Sequence, residues 1–216
     1  DGDIVLIKKF MHEDILRETT RLLLEWAKST PQNKQNPLDI KNSTHLQSYL
    51  PALSEARYIH HVFTFYMDAR ETKGLLDEKL NYIFDELVNV WAELNPEKDY
   101  SYTPSTSDGY LFLPQVIHYP EGGGFFSEHS HELLPQRVGL ILAGSDIATD
   151  YKCGAVRFRD SRDGEWLSTL NKHEIGDLLL FRFDLYHDIT PVDPESDLDF
   201  NSNNGRWTFV LPLKKS

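Results

Sequence analysis

Two histidines one residue apart, His129 and His131, follow a run of three glycines, Gly122-Gly123-Gly124, and a third histidine, His187, comes at the end of a later apolar run. Imidazole is largely neutral near pH 7 and offers a lone pair, which makes it the commonest side-chain ligand for metals. On a strand, residues i and i+2 point to the same face. His129 and His131 can therefore grip one ion, and His187 can complete the site from a distant strand. Three such ligands leave up to three open positions on an octahedral metal, as an oxygen-activating iron requires. Arg206 and Thr208 open the last β-rich run and share one strand face. A guanidinium there is a planar, bidentate partner for a bound carboxylate. Tyr119 is a further hydrogen-bonding candidate, on an assumed inward face with Gln115 and Ile117. The other histidines singled out, His12, His45, His60, His61 and His173, read as structural.

Elements must bring these distant residues together. Asp3 to Lys8 alternates like a short strand. Ile15, Leu22, Leu23 and Trp26 recur at helical spacing after acidic first-turn residues, and Thr30-Pro31 ends that helix. Residues 31–56 read as a long polar loop, a candidate lid. Tyr58 to Met67 is aromatic and β-branched and predicts a strand. Leu76, Leu80, Ile83, Phe84, Leu87, Trp91 and Leu94 form one apolar stripe, a second helix stopped by Asn95-Pro96. From Tyr110 the texture changes to short β-type runs: Tyr110–Tyr119, Arg137–Ala143, Ala155–Phe158, Leu178–Phe183 and Arg206–Leu213. Asp193 to Asn204 reads as an acidic surface loop before the last strand. Helices followed by many strands predict an α+β, mainly β fold. It is a double-stranded β-helix (jelly roll) at about 110–213, buttressed by helices within about 11–95, in a single domain spanning 1–216.

Bulk composition narrows the function. The chain has 216 residues, 40% apolar, with 22 basic and 34 acidic side chains, a net charge of −12. A surface this acidic argues against nucleic acid and anionic membranes as partners. No apolar run approaches the length of a membrane span, and no secretory leader is expected. The single cysteine, Cys153, allows no internal disulfide framework and fits the reducing cytoplasm. It carries no catalytic signature.

The ordered set resembles the iron(II)/2-oxoglutarate-dependent oxygenases. Tyr119-Pro120-Glu121-Gly122-Gly123-Gly124 resembles the approach to that family's first ligand, and His129 matches the first histidine. Gly176-Asp177 and His187 match its turn and distal histidine. Ile189-Thr190-Pro191-Val192 is similar to the usual sequel, and Arg206-Trp207-Thr208 to the co-substrate anchor. The stretch Tyr151 to Phe158 resembles the strand between the ligand regions. The resemblance covers roughly residues 114–213. It implies iron(II), 2-oxoglutarate as co-substrate and O2, with hydroxylation of a small molecule as the default outcome. It also implies that Arg206, with Thr208 and Tyr119, holds 2-oxoglutarate.

The departure is His131, where the family has Asp or Glu. Either His131 is a true third ligand, or the position is not a ligand, or a neighbouring carboxylate (Glu128, Glu132 or Asp188) substitutes through a bulge. The first is preferred. Three neutral imidazoles would leave a divalent site at +2 rather than +1, favouring a dianionic chelator and altering the metal's potential. Two other functions fit the same residues: a three-histidine dioxygenase that uses no 2-oxoglutarate, and a non-catalytic jelly-roll binding module. Arg137, Arg157, Arg159 and Arg182 could meet a substrate carboxylate but read more simply as surface ion pairs. Trp166 is a candidate for the pocket mouth.

Overall fold

The computed structural model describes residues 3–34, 42–49, 58–67 and 74–216. Helix α1, Glu13–Ser29, starts at His12, whose ring accepts the Asp14 amide, and ends at Thr30. Helix α2, Leu75–Leu94, begins at Gly74, whose amide donates to the Asp77 carboxylate, and ends at Asn95. Thirteen strands complete the described elements: β1 Ile4–Ile7, β2 Thr44–Ser48, β3 Tyr58–Thr64, β4 Tyr110–Phe112, β5 Gln115–Pro120, β6 Gly124–His129, β7 Val138–Ala143, β8 Val156–Arg159, β9 Leu167–Ser168, β10 Leu178–Arg182, β11 Tyr186–Val192, β12 Gly205–Val210 and β13 Leu213–Lys215. Among the described residues, no helix is long and apolar enough to cross a membrane.

The main sheet runs β1-β10-β7-β12-β5-β3-β6-β11-β8-β9, with β2 paired to β3 and every pairing antiparallel. It curls because β3 serves both halves. Its start, Tyr58 and Ile59, pairs with Phe126 and Phe125 of β6; its remainder, His61 to Thr64, pairs with β5. The result is the mainly β, jelly-roll architecture expected from the sequence, with two helices against one face.

Strand alternation divides the side chains between two cores. On β12, Trp207 and Phe209 join the helix-side cluster with Leu16 and Leu23 of α1 and Ile83, Phe84 and Leu87 of α2. On β10, Leu178 and Leu180 face the helices, whereas Leu179 and Phe181 face the barrel interior with Ile117, Tyr119, Val156 and Phe158. The same period of two sends Arg206 and Thr208 inward.

Several sequence expectations shift. The 31–56 loop contains a strand, β2, whose Thr-His-Leu-Gln-Ser lacks a clear apolar alternation; its pairing with β3 supplies the order. Residues 35–41 and 50–57 lie outside the described residues. The N-terminal region is therefore more than a helical buttress, since β1, β2 and β3 all join the sheet. The expected strand at Tyr58–Met67 ends at Thr64. The runs at Tyr110–Tyr119 and Arg206–Leu213 each divide near a proline, Pro114 and Pro212, because proline cannot donate to a ladder. The acidic stretch 193–204 falls before β12, but it is not merely a surface excursion. The Asn203 carbonyl accepts the Trp207 indole N–H, and a Cβ on Gly122 (φ +85°) would come within 2.4 Å of the Leu198 backbone.

Four histidines unconnected with any metal are buried and held neutral. Burial lowers the pKa of His60 and His118 to about 4, of His173 to about 3 and of His61 to about 2. His118 stacks on Trp207 at 4.1 Å, and its Nε2 lies 2.8 Å from the Asn204 carbonyl.

Two stability predictions follow from this packing. Leu87→Ala, at a fully buried position between helix and sheet, should cost about 2–5 kcal/mol, read from the urea midpoint. The buried histidines should make the fold acid-sensitive. The unfolded chain takes up protons near pH 6.5 while the folded chain does not, so stability falls as pH drops below 6.5. The loss continues to about pH 4 for His60 and His118, at about 1.4 kcal/mol per pH unit for each group. His118→Phe should make this dependence shallower by about one proton, measured by thermal melts between pH 7 and pH 5.

Candidate metal centre

The glycine turn and the β6–β11 ladder place the first two histidines. Gly122 and Gly123 donate to the carbonyls of Asp193 and Val192, tying the turn to the end of β11. The chain then runs down β6 to His129, which sits directly opposite His187. The sequence reading placed His187 at the end of the apolar strand. It lies instead near the start of the next one, after a turn at 183–185. His131 lies two residues past the end of β6, so the pair does not share one regular strand as expected. Its ring is nevertheless brought in by stacking on Phe183, with centroids 4.3 Å apart and planes at 9°.

The three rings converge. Centroid separations are 4.2 Å for His129–His187, 5.0 Å for His129–His131 and 5.3 Å for His131–His187. One nitrogen from each lies within 4.8 Å of the other two. The backbone also orients two of the rings. His129 Nδ1 lies 2.9 Å from the Ser127 carbonyl, and His187 Nδ1 lies 2.9 Å from the Leu185 carbonyl. A carbonyl only accepts, so each Nδ1 carries the proton and each Nε2 keeps a free lone pair. Burial lowers all three pKa values, to about 3 for His187 and about 4 for His131, and repulsion from neighbouring imidazoles adds to it for those two. Three neutral imidazoles with free nitrogens suit a divalent metal.

Two of the three neighbouring carboxylates are engaged elsewhere, and the third, Glu132, is exposed and outside the converging cluster. Asp188, on the opposite face of β11 from His187, accepts Arg157 Nε at 3.0 Å and pairs with its Nη2. Glu128 pairs with Arg159. Both arginines also pack over Trp166, at 4.4 and 4.5 Å from its ring. Trp166 therefore lies against these arginines and does not line the cavity. Arg137 pairs with Glu97, and Arg182 with Asp184 and Asp3, so all four flagged arginines are in ion pairs. Cys153 is exposed, with its backbone amide bound by Asp193.

A cavity of about 370 Å³ opens beside the histidines. Gln115, Ile117, Tyr119, Phe126, Phe183 and Thr208 are among its lining residues, so the expected inward face of β5 is the observed one. Arg206 lies just beyond this lining, opposite Tyr119 in the ladder and two residues from Thr208. It is only 2% exposed. Its Nη1 donates to the Tyr151 hydroxyl at 2.8 Å and its Nη2 to His173 Nδ1 at 3.1 Å. Guanidinium only donates, so His173 accepts at Nδ1 and must carry its proton on Nε2, which donates to the Asp177 carbonyl at 3.1 Å. Asp177 is itself fixed, its carboxylate accepting Lys8 Nζ at 2.7 Å and the amides of Lys9 and Glu174 at 2.9 Å.

Sequence reading missed His173, which it took as structural; its one signal was its position four residues before Asp177. Among the described residues no carboxylate lies within 4.0 Å of Arg206, and its Nε is buried without a partner. A buried cation with neutral neighbours and an orphaned donor fits a site for an anion.

No protein-family model matches the chain, and no curated protein matches it. Solved structures do. A Pseudomonas putida prolyl-4-hydroxylase aligns over 99% of this chain and 93% of its own, with a TM-score of 0.55 and 14% identity. A Trichoplax adhaerens prolyl hydroxylase, solved in complex with a hypoxia-inducible-factor oxygen-degradation-domain peptide fragment, aligns over 97% of this chain and 82% of its own. Its TM-score is 0.57 and its identity 13%. At such identity the likeness is one of fold: the chain shares the jelly-roll fold of prolyl hydroxylases and carries a cluster of three histidines inside it.

Proposed function

We propose that this protein is an iron(II)- and 2-oxoglutarate-dependent oxygenase that hydroxylates a small molecule. The observation that carries this reading is Arg206: a buried guanidinium, unpaired by any described carboxylate, with Nε unsatisfied, just beyond the lining of the cavity that the three histidines share. Only an anion relieves that arrangement fully, and a dicarboxylate long enough to reach from Arg206 toward the histidines suits it.

In this reading His129, His131 and His187 hold iron(II) through ring nitrogens, and bound iron supplies O2 activation coupled to decarboxylation of 2-oxoglutarate to succinate. The chain's own residues supply the rest. Arg206 binds the far carboxylate of 2-oxoglutarate, and Thr208 and Tyr119 flank it. His173 and Tyr151 keep the guanidinium pointed. Phe126, Phe181 and Phe183 give the histidines an apolar surround, His187 being buried within it and His131 at its exposed edge. His131, rather than a carboxylate, is the third ligand, because its ring nitrogen converges with the other two while Glu128 and Asp188 are paired with arginines and Glu132 is outside the cluster.

Two measurements test this. Iron-loaded protein should bind 2-oxoglutarate and release succinate, whereas Arg206→Gln should weaken 2-oxoglutarate binding by at least about a hundredfold. If Arg206→Gln leaves that affinity unchanged, or if the wild type never binds 2-oxoglutarate, the assignment fails and a three-histidine dioxygenase acting without 2-oxoglutarate becomes the better account. Second, elemental analysis after loading should find about one metal per wild-type chain and a large deficit in His129→Ala and His187→Ala. His131→Ala should weaken metal affinity about tenfold or more; an unchanged affinity would remove His131 from the ligand set.

A further inference from the structure

A second cationic residue belongs to the cavity, and this one lines it. Lys214, on β13, lines the cavity and is exposed, so it stands at the mouth. It shares this lining with His131. Arg137, Arg157, Arg159 and Arg182 all have carboxylates within 4.0 Å, whereas Lys214 has none among the described residues. Its neighbour Lys215 lies over the Tyr110 ring.

An unpaired ammonium at the mouth of an apolar chamber is a local attractor for anions in a chain whose net charge of −12 otherwise repels them. Most of the lining is apolar, Phe126, Phe183, Val210 and Leu211 included. A cavity of about 370 Å³ is at the small end of ligand sites.

We propose that Lys214 is the specificity-determining residue for the substrate, a small monocarboxylate with an apolar or aromatic body. Its carboxylate pairs with the ammonium at the mouth, and its apolar part lies against Phe126 and Phe183 beside the three histidines. A single lysine suits one carboxylate; a phosphate would call for the arginine cluster or helix terminus that such groups usually meet. The assignment rests on reading the cavity as an oxygenase's substrate chamber, but its binding step needs no turnover.

The test is calorimetric titration of the purified protein with 3-phenylpropanoate and with its near-isosteric neutral counterpart, 3-phenylpropanamide. Wild type should bind the acid about tenfold more tightly than the amide, the worth of one charge-assisted hydrogen bond. Lys214→Gln should bring the acid down to the amide's affinity with an unchanged thermal melt. Lys214→Arg should restore the preference, and Arg206→Gln should keep it. The proposal is overturned if wild type binds neither probe or shows no preference. It also falls if the preference survives Lys214→Gln, above all if Arg206→Gln abolishes it, since the carboxylate then sits at the deep arginine. Failure of 2-oxoglutarate turnover alongside a Lys214-dependent acid preference would sink the oxygenase reading and leave this anion site standing.

Discussion

The site depends on the register between β6 and β11, which sets His129 directly opposite His187. A slip of one residue by either strand would leave the two imidazoles on opposite faces and turn Glu128 or Asp188 inward in place of the lost ring, because side-chain direction alternates with period two. The outer ion pairs, Glu128 with Arg159 and Asp188 with Arg157, oppose that slip from the other side. Inside, Phe158 and Phe181 pack against His187 at 5.9 and 5.0 Å. The two faces of the ladder therefore specify the same register, apolar and imidazole inward, charged outward.

A second constraint acts just beyond the cavity lining. Arg206 faces a low-dielectric interior without a described carboxylate, a costly arrangement unless its environment is polar and fixed. That environment is a relay: the Asp177 carboxylate holds the turn, the Asp177 carbonyl sets the His173 tautomer, and His173 with Tyr151 aims the guanidinium. The relay satisfies part of the guanidinium and leaves Nε for something else. The Gly-Asp pair that reads in the sequence as a simple turn thus has a structural reason to precede its strand.

The fold class was legible because it rests on local signals. The apolar stripe from Leu76 to Leu94 and the alternating runs after Tyr110 became α2 and most of the strands, and the inward face of β5 was the expected one. What failed were elements whose order comes from a partner. Strand β2 carries no readable pattern and forms by pairing with β3. Strand breaks at Pro114 and Pro212 were visible in principle, since proline lacks the ladder donor. Trp166 was misplaced because a half-buried aromatic ring looks the same in sequence whether it lines a pocket or stacks on two arginines.

By itself the sequence determined the residue types able to do the chemistry and their order along the chain: His129, His131, His187, Arg206. Those depend on side-chain identity and on period-two spacing, which are local. Only the tertiary structure decided which carboxylates were unavailable as ligands, how His131 joins the cluster from beyond the end of its strand, and that His173 supports the arginine. These are contacts between residues about 30 or more positions apart, such as Glu128 with Arg159, His131 with Phe183 and His173 with Arg206. Pairings of that kind are set by strand register and the curl of the sheet, which no local pattern encodes.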